Sequence, residues 1–146
     1  MAQEKTIEIR WRDLDAYNHV NNAVYATYLE ECRDEWMTRV LEGAGNPWDW
    51  VLARVAIDYR RELTQDDDIV VVSCRVTRIG NSSVTLHEEV RTQNGELSAE
   101  AEAVLVARDR VGGRSRPMGD AERAALEREL ASETPRGQTP GSDPGV

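Results

Sequence analysis

Between Trp11 and Asn22 the chain reads Trp11-Arg12-Asp13-Leu14-Asp15-Ala16-Tyr17-Asn18-His19-Val20-Asn21-Asn22, which sets carboxylates, an imidazole and carboxamides close together. Such groups can perform acyl transfer, whose minimum equipment is a nucleophile or general base plus hydrogen-bond donors for a developing oxyanion. Asp15 can supply the first, and the unpaired backbone N–H groups of a helix start near Asn22 the second. The same residues also fit a purely structural reading, in which Asp15, Asn21 or Asn22 caps a helix and Asp13 sits in a turn. His19, four residues after Asp15, can form an acid/base pair with it or half of a metal site. The nearby carboxylates Asp13, Asp15, Glu30 and Glu31 have no second histidine or cysteine at ligand spacing, so no metal and no cofactor is expected. His87 belongs to an alternating stretch and reads as solvent-facing.

The elements that must position this stretch follow from hydrophobic periodicity. Ile7, Ile9 and Trp11 alternate with Glu8 and Arg10, the period of a half-buried first strand. Tyr25, Tyr28, Leu29, Cys32, Trp36, Val40 and Leu41 recur at intervals of three and four, predicting a helix from Asn22 to Glu42. Gly43, Gly45 and Pro47 stop it. Four stretches with two-residue alternation follow: Val51, Val55, Ile57 and Tyr59; Val70, Val72, Cys74 and Val76; Val84, Leu86 and Val90; and Leu97 to Leu105. Gly80-Asn81-Ser82 and Gln93-Asn94-Gly95-Glu96 join the last three strands as antiparallel hairpins. A helix from Ala121 to Ala131, with Asp120 as its N-cap, is expected to pack loosely on the surface. The expected organisation is one α+β domain over residues 1–131, a long helix wrapped by a five-stranded antiparallel sheet, followed by a disordered tail over 132–146. Val71, Val104, Val106 and Leu52 lie on the opposite faces of their strands and leave apolar surface for a partner subunit, so a homo-oligomer is expected.

Composition narrows the classes. A chain of 146 residues usually buries about 70% of its unfolded surface in one core, which excludes collagen-like, disordered and disulfide-scaffold readings. Its 27 acidic residues outnumber 18 basic ones, for a net charge of -9, which argues against nucleic acid or anionic membrane as a partner. No apolar run approaches the ~18 residues of a membrane span. The first residues lack the apolar core of a secretory signal, so the cytoplasm is the expected compartment. Cys32 and Cys74 each sit in an apolar pattern and read as buried packing residues.

The run Asp13-Leu14-Asp15, then His19-Val20-Asn21-Asn22, then Tyr25, Tyr28 and Glu31, resembles the hotdog-fold acyl-CoA thioesterases of the 4-hydroxybenzoyl-CoA thioesterase family. The Arg78-to-Ser83 hairpin and the Ala-rich stretch after Gly95-Glu96 are similar to that family's later elements, and the resemblance covers about residues 5–118. It implies a thioesterase acting on acyl-CoA, working as a homodimer or homotetramer with active sites between subunits. It also implies that Asp15 is the catalytic carboxylate and that backbone near Asn22 polarises the thioester carbonyl. The branch similar to Tol-Pal-associated thioesterases uses a tyrosine four residues before this aspartate and a histidine seven after it, where this chain has Trp11 and Asn22. The plant acyl-ACP branch places a histidine where His19 stands and an asparagine where Tyr17 stands, which makes His19 a second catalytic candidate. A CoA substrate directs attention to Arg60 and Arg78 for its phosphates and to Ser82 as a donor near the pantetheine, with Tyr25, Tyr28 and Trp36 as residues that either line the acyl pocket or fill the core.

Two rivals remain at this level. Hotdog hydratases resemble D-x-N-P-x-H, five residues from aspartate to histidine, whereas Asp15 and His19 are four apart with no proline between them. A non-catalytic acyl-CoA-binding module keeps the fold without turnover.

Overall fold

The computed structural model describes residues 2–133. Its elements are β1 (Gln3–Glu8), α1 (Asn22–Val40), β2 (Trp50–Tyr59), β3 (Ile69–Ile79), β4 (Ser83–Thr92), β5 (Leu97–Ala107) and α2 (Asp120–Glu133), with single 3-10 turns at Trp11–Asp13, Pro47–Asp49 and Gln65–Asp67. The strands form one antiparallel sheet in the order β1-β3-β4-β5-β2. This is the hotdog arrangement, with α1 as the filling against one face of the sheet.

The helical stripe explains that packing. Tyr25, Tyr28, Leu29, Cys32, Trp36, Met37 and Val40 are buried on α1, and they meet Val70, Val72, Cys74, Val76, Val84, Leu86 and Val90 from the inner faces of β3 and β4. Each large apolar side chain so buried contributes about 1.5–3 kcal/mol. One charged pair interrupts the apolar interface: the Arg33 guanidinium donates from Nε and Nη2 to the two Glu88 oxygens, both at 2.8 Å, with neither side chain reaching solvent appreciably. Desolvation opposes charge on both groups, and for Glu88 it pushes the carboxyl up against the pull of Arg33. The two-pronged geometry around a guanidinium that stays charged favours the ion pair. Cys32 and Cys74 are free and buried, with Sγ atoms 3.9 Å apart.

Three expectations need correction. First, β1 ends at Glu8: the Ile9 N–H still bonds the next residue in register, Asp68, at 2.7 Å, but Asp68 stands at φ 63° and the ladder goes no further. Trp11 therefore opens a 3-10 turn and is 83% exposed, rather than continuing the buried face. Second, β2 does not alternate regularly. A bulge between Leu52 and Arg54 places Leu52 opposite Leu105 and Val55 opposite Ala103, so Leu52 joins Val55, Ile57 and Tyr59 on the inner face while Val51 points outward beside Val106. Third, α2 is firmly anchored. Ala125 and Leu126 are buried, and the Glu122 carboxylate accepts from the Gly119 N–H (2.7 Å), the Trp50 indole (2.9 Å) and both terminal nitrogens of Arg116 (2.8 and 3.1 Å). Those donors outweigh the burial that opposes its charge and hold the Glu122 carboxyl below its usual range. Ser132 and Glu133, expected in the tail, close α2. The rest of the expected tail lies outside the described residues.

Register separates the molecule into two ends. Thr92 pairs with Val70 at one end of β4, and Val84 pairs with Ile79 at the other. The ten residues of β4 span about 30 Å at strand rise. The first turn of α1 lies at the Val70 end and the β3–β4 hairpin at the opposite one. In that hairpin Gly80 closes against Ser83: its N–H reaches the Ser83 carbonyl at 2.7 Å, and a Cβ on Gly80 would make the Ser83 hydroxyl turn away.

Candidate active site

The chemistry-bearing stretch folds as a small hairpin. Leu14 bridges Val20, the Asp15 N–H donates to the His19 carbonyl at 2.9 Å, and the Asn18 N–H returns to the Asp15 carbonyl at 3.1 Å. Asn18 completes the turn at φ 64°, a left-handed conformation that asparagine tolerates. The hairpin is clamped from both sides: the Asn21 N–H donates to the Asp13 carbonyl, the Val20 N–H donates to the Leu63 carbonyl, and His19 bridges Thr64.

Asp13 and Asp15, two residues apart, have opposite surroundings. Asp13 is buried. It accepts the Tyr28 hydroxyl at 2.7 Å and the Arg10 N–H at 2.9 Å, with the Arg10 guanidinium at 3.4 Å. Burial opposes its charge, yet these donors outweigh burial and hold the carboxyl below its usual range. Burial and this carboxylate together push the Tyr28 hydroxyl far up, so it stays a proton donor. Asp13 thus ties the start of the loop to α1. Asp15 is only half-buried. Its Oδ1 accepts the Tyr17 N–H at 2.8 Å and the His19 N–H at 3.4 Å, an Asx-type turn. Among the described residues Oδ2 has no hydrogen-bond partner.

The helix start repeats this contrast. Asn21 is the N-cap, and its side chain accepts the Ala23 N–H at 2.8 Å. The Val24 N–H bonds the Asn21 carbonyl at 2.9 Å. The N–H of Asn22, the first helical residue, has no acceptor among the described residues, and such a donor at the positive end of a helix suits an anion. Of the alternatives open in the sequence, Asn21 is the cap, leaving Asp15 and the Asn22 N–H available.

The expected side-chain pair of Asp15 with His19 does not form. The two are joined through the His19 backbone, and its ring faces Glu62, with Nε2 3.2 Å from Oε2. His19 also lines a cleft of about 460 Å³ with Trp11, Leu14, Tyr17, Thr64 and Asp66. A larger groove of about 630 Å³ lies along the C-terminal half of α1, against Asp34, Thr38 and Pro47, and contains none of the candidate catalytic groups.

The remaining candidates divide between the two ends. Tyr25 is buried beneath the helix start, its hydroxyl 3.2 Å from the Ser98 hydroxyl and 3.4 Å from the Arg61 carbonyl, and its ring meets Tyr59 edge-on at 5.1 Å. Tyr28 and Trp36 are likewise core residues. Arg60 follows β2 at the same end, 3.7 Å from both Asp58 and Glu100. Arg78 and Ser82 stand at the β3–β4 hairpin, away from Asp15 of the same chain. Among the described residues no group of three or more His, Cys, Asp or Glu side chains could hold a metal, and no helix is long and apolar enough to cross a membrane. Sequence reasoning passed over Glu62 and the interaction of Tyr59, whose hydroxyl donates to the Asn22 carbonyl at 3.1 Å. Position as the last inward residue of β2 was a signal for Tyr59; no local pattern marked Glu62.

Comparisons with known proteins bear on the fold and the family. Residues 9–126 match the family model of the thioesterase-like superfamily. A thioesterase from Thermus thermophilus, solved with coenzyme A and zinc, is 33% identical, covers 88% of this chain and 95% of its own, and superposes with a TM-score of 0.76. The structure of a predicted thioesterase from Bacillus stearothermophilus is 27% identical over 89% of this chain and 97% of its own, with a TM-score of 0.80. The long-chain acyl-CoA thioesterase FadM of Escherichia coli is 29% identical over 112 residues, 70% of this chain and 80% of FadM.

Proposed function

This chain belongs to the thioesterase-like superfamily and is a thioester hydrolase; from that premise we propose that it cleaves an acyl-CoA to a free carboxylic acid and CoA, with Asp15 as the reacting carboxylate. One observation carries the reading: a carboxylate with an open oxygen lies in the loop leading into a helix whose first N–H is also unengaged. Asp15 acts either by removing a proton from water as the water oxygen bonds to the carbonyl carbon, or by attacking that carbon itself to give a mixed anhydride that water then hydrolyses, releasing the acid and restoring the carboxylate. The Asn22 N–H receives the charge that grows on the carbonyl oxygen. When the C–S bond breaks, the thiolate takes up a proton and leaves as CoA. His19, held by Glu62, is the second proton-carrying group at this end.

Two relatives support CoA as the carrier, the Thermus thermophilus thioesterase solved with coenzyme A and the acyl-CoA thioesterase FadM. Arg60 and Arg78 are proposed for its phosphates and Ser82 for the pantetheine, while Tyr25 backs the acyl end. Arg78 and Ser82 lie at the wrong end to serve Asp15 of their own chain, so they serve the site of a second copy. The edge strand β2 supports such a homodimer. Leu52, Val55 and Tyr59 are exposed on its inner face, an apolar strip beside unpaired backbone groups that a second β2 can cover. Substituting Leu52→Asp is expected to convert a dimer to monomer in sedimentation; an unchanged dimer would refute this interface.

The decisive experiment is thiol release from acetyl-, octanoyl-, palmitoyl- and benzoyl-CoA by wild type and by Asp15→Asn. Release by wild type that falls at least ~100-fold in the variant is expected. Binding without release, with affinity indifferent to Asp15, would replace this reading with the binding module. Hydration of an enoyl-CoA without free thiol would replace it with the hydratase.

A further inference from the structure

The open Asn22 N–H is useful only if the first turn of α1 is held still, and that turn is an exposed helix end, where fraying is easiest. Its cap comes from within the same segment: Asn21 Oδ1 receives the Ala23 N–H and the Asn21 carbonyl receives the Val24 N–H. Those bonds shape the turn without tying it to the sheet. Two side-chain bonds do so: Tyr25, buried within this turn, reaches the Ser98 hydroxyl on β5 at 3.2 Å, and the Tyr59 hydroxyl donates to the Asn22 carbonyl at 3.1 Å, the one of the two that acts on Asn22 itself. Asn22 therefore presents its N–H on one side and is held by its carbonyl on the other.

Tyr59 is well placed to act as this fixed point. It is the last residue of β2, in register opposite the buried Ala99. Immediately after it the Arg60 and Arg61 N–H groups both donate to the Ser98 carbonyl, at 2.8 and 3.1 Å, so the strand end does not drift. Its ring stands perpendicular to Tyr25 at 5.1 Å, and the Tyr25 hydroxyl reaches Ser98 as well. A ring with 47% of the residue exposed is thus located by a strand end, an aromatic edge contact and one hydrogen bond.

We propose that Tyr59 is a positioning residue for the reaction: through the Asn22 carbonyl it fixes the oxyanion-binding N–H relative to the Asp15 loop. This rests on the thioesterase reading above and adds a residue whose contacts are with Asn22 and Tyr25 rather than with Asp15. Misplacing an oriented group by about 1 Å can cost on the order of 100-fold in rate, and losing the Tyr59 bond while Tyr25 still holds the turn to Ser98 costs less.

The test is Tyr59→Phe, which keeps the ring against Tyr25 and removes only the hydroxyl. With the acyl-CoA that wild type cleaves fastest, kcat is expected to fall about tenfold while KM stays within about twofold and the melting temperature is unchanged. Amide exchange across residues 21–24 is expected to quicken about tenfold, with the rest of α1 unaffected. Wild-type kcat in the variant, or a kcat loss matched by a general loss of stability, would overturn the proposal. Unchanged exchange at residues 21–24 would overturn it without reference to turnover. Failure of wild type to cleave any acyl-CoA would instead count against the thioesterase reading, and the exchange result would still decide whether Tyr59 holds the turn.

Discussion

At the end of the sheet where β3 turns into β4, the carboxylate of Glu122 takes donors from Gly119, Trp50 and Arg116 on both of its oxygens, whereas at the opposite end Asp15 engages one oxygen and leaves the other open. Glu88, between them, has both oxygens on Arg33. A carboxylate whose lone pairs are all engaged is a tie between elements, because any change in its charge or position breaks several bonds together. A carboxylate with one oxygen unbonded among the described residues is free to act on a bound molecule, which is the role proposed for Asp15. The contrast between the two ends therefore predicts which property each substitution removes.

The largest effect sharpens the Asp15 side: Asp15→Asn is expected to lower kcat by about 1000-fold with an unchanged denaturant midpoint. Equal losses in rate and stability would make Asp15 another tie and break the comparison. On the tie side, Glu88→Ala leaves the Arg33 charge buried without its partner and is expected to destabilise the fold by about 3–5 kcal/mol, read from urea unfolding. Glu122→Ala is expected to cost about 2–3 kcal/mol, since its donors lose their acceptor, while kcat per folded molecule stays at the wild-type value.

The smallest effect is one of pH. Asp13 and Glu122 are held below their ordinary values of 3.8 and 4.5 when folded. Their contribution is thus complete above those values and is lost as pH falls through the lower folded ones. The urea midpoint of wild type is expected to decline below about pH 4.5, and Glu122→Ala to show a shallower decline. An identical slope in the variant would remove Glu122 from the set of ties.

Much of this was legible in the sequence because it depends on local period. The stripe from Tyr25 to Leu41 predicted α1, the alternation predicted five strands, and Gly80 and Gly95 marked the hairpins between β3, β4 and β5. The spacing of Asp13, Asp15 and His19 located the candidate site, yet it could not tell which aspartate is engaged. That depends on Tyr28 and Arg10, which reach Asp13 only in the folded chain. No local pattern marks Arg33 and Glu88, 55 residues apart, as a pair; they meet only when α1 lies on β4. Glu62 meets His19 for the same reason, and α2 looked peripheral because its anchor lies in Trp50 and Arg116, outside its own span.

The bulge in β2 has a consequence at the level of the gene. Leu52 already stands opposite Leu105 and Arg54 opposite Val104, so Ala53 is the residue for which the ladder has no counterpart. Loss of the Ala53 codon would close the strand into regular alternation and leave Leu52, Val55, Ile57 and Tyr59 on the face they occupy now. Loss of a codon within Val55 to Asp58 would turn over every side chain on one side of the cut. Length variation among descendants of this sequence is therefore expected to collect at Ala53, in the middle of a strand, where insertions and deletions are ordinarily least tolerated.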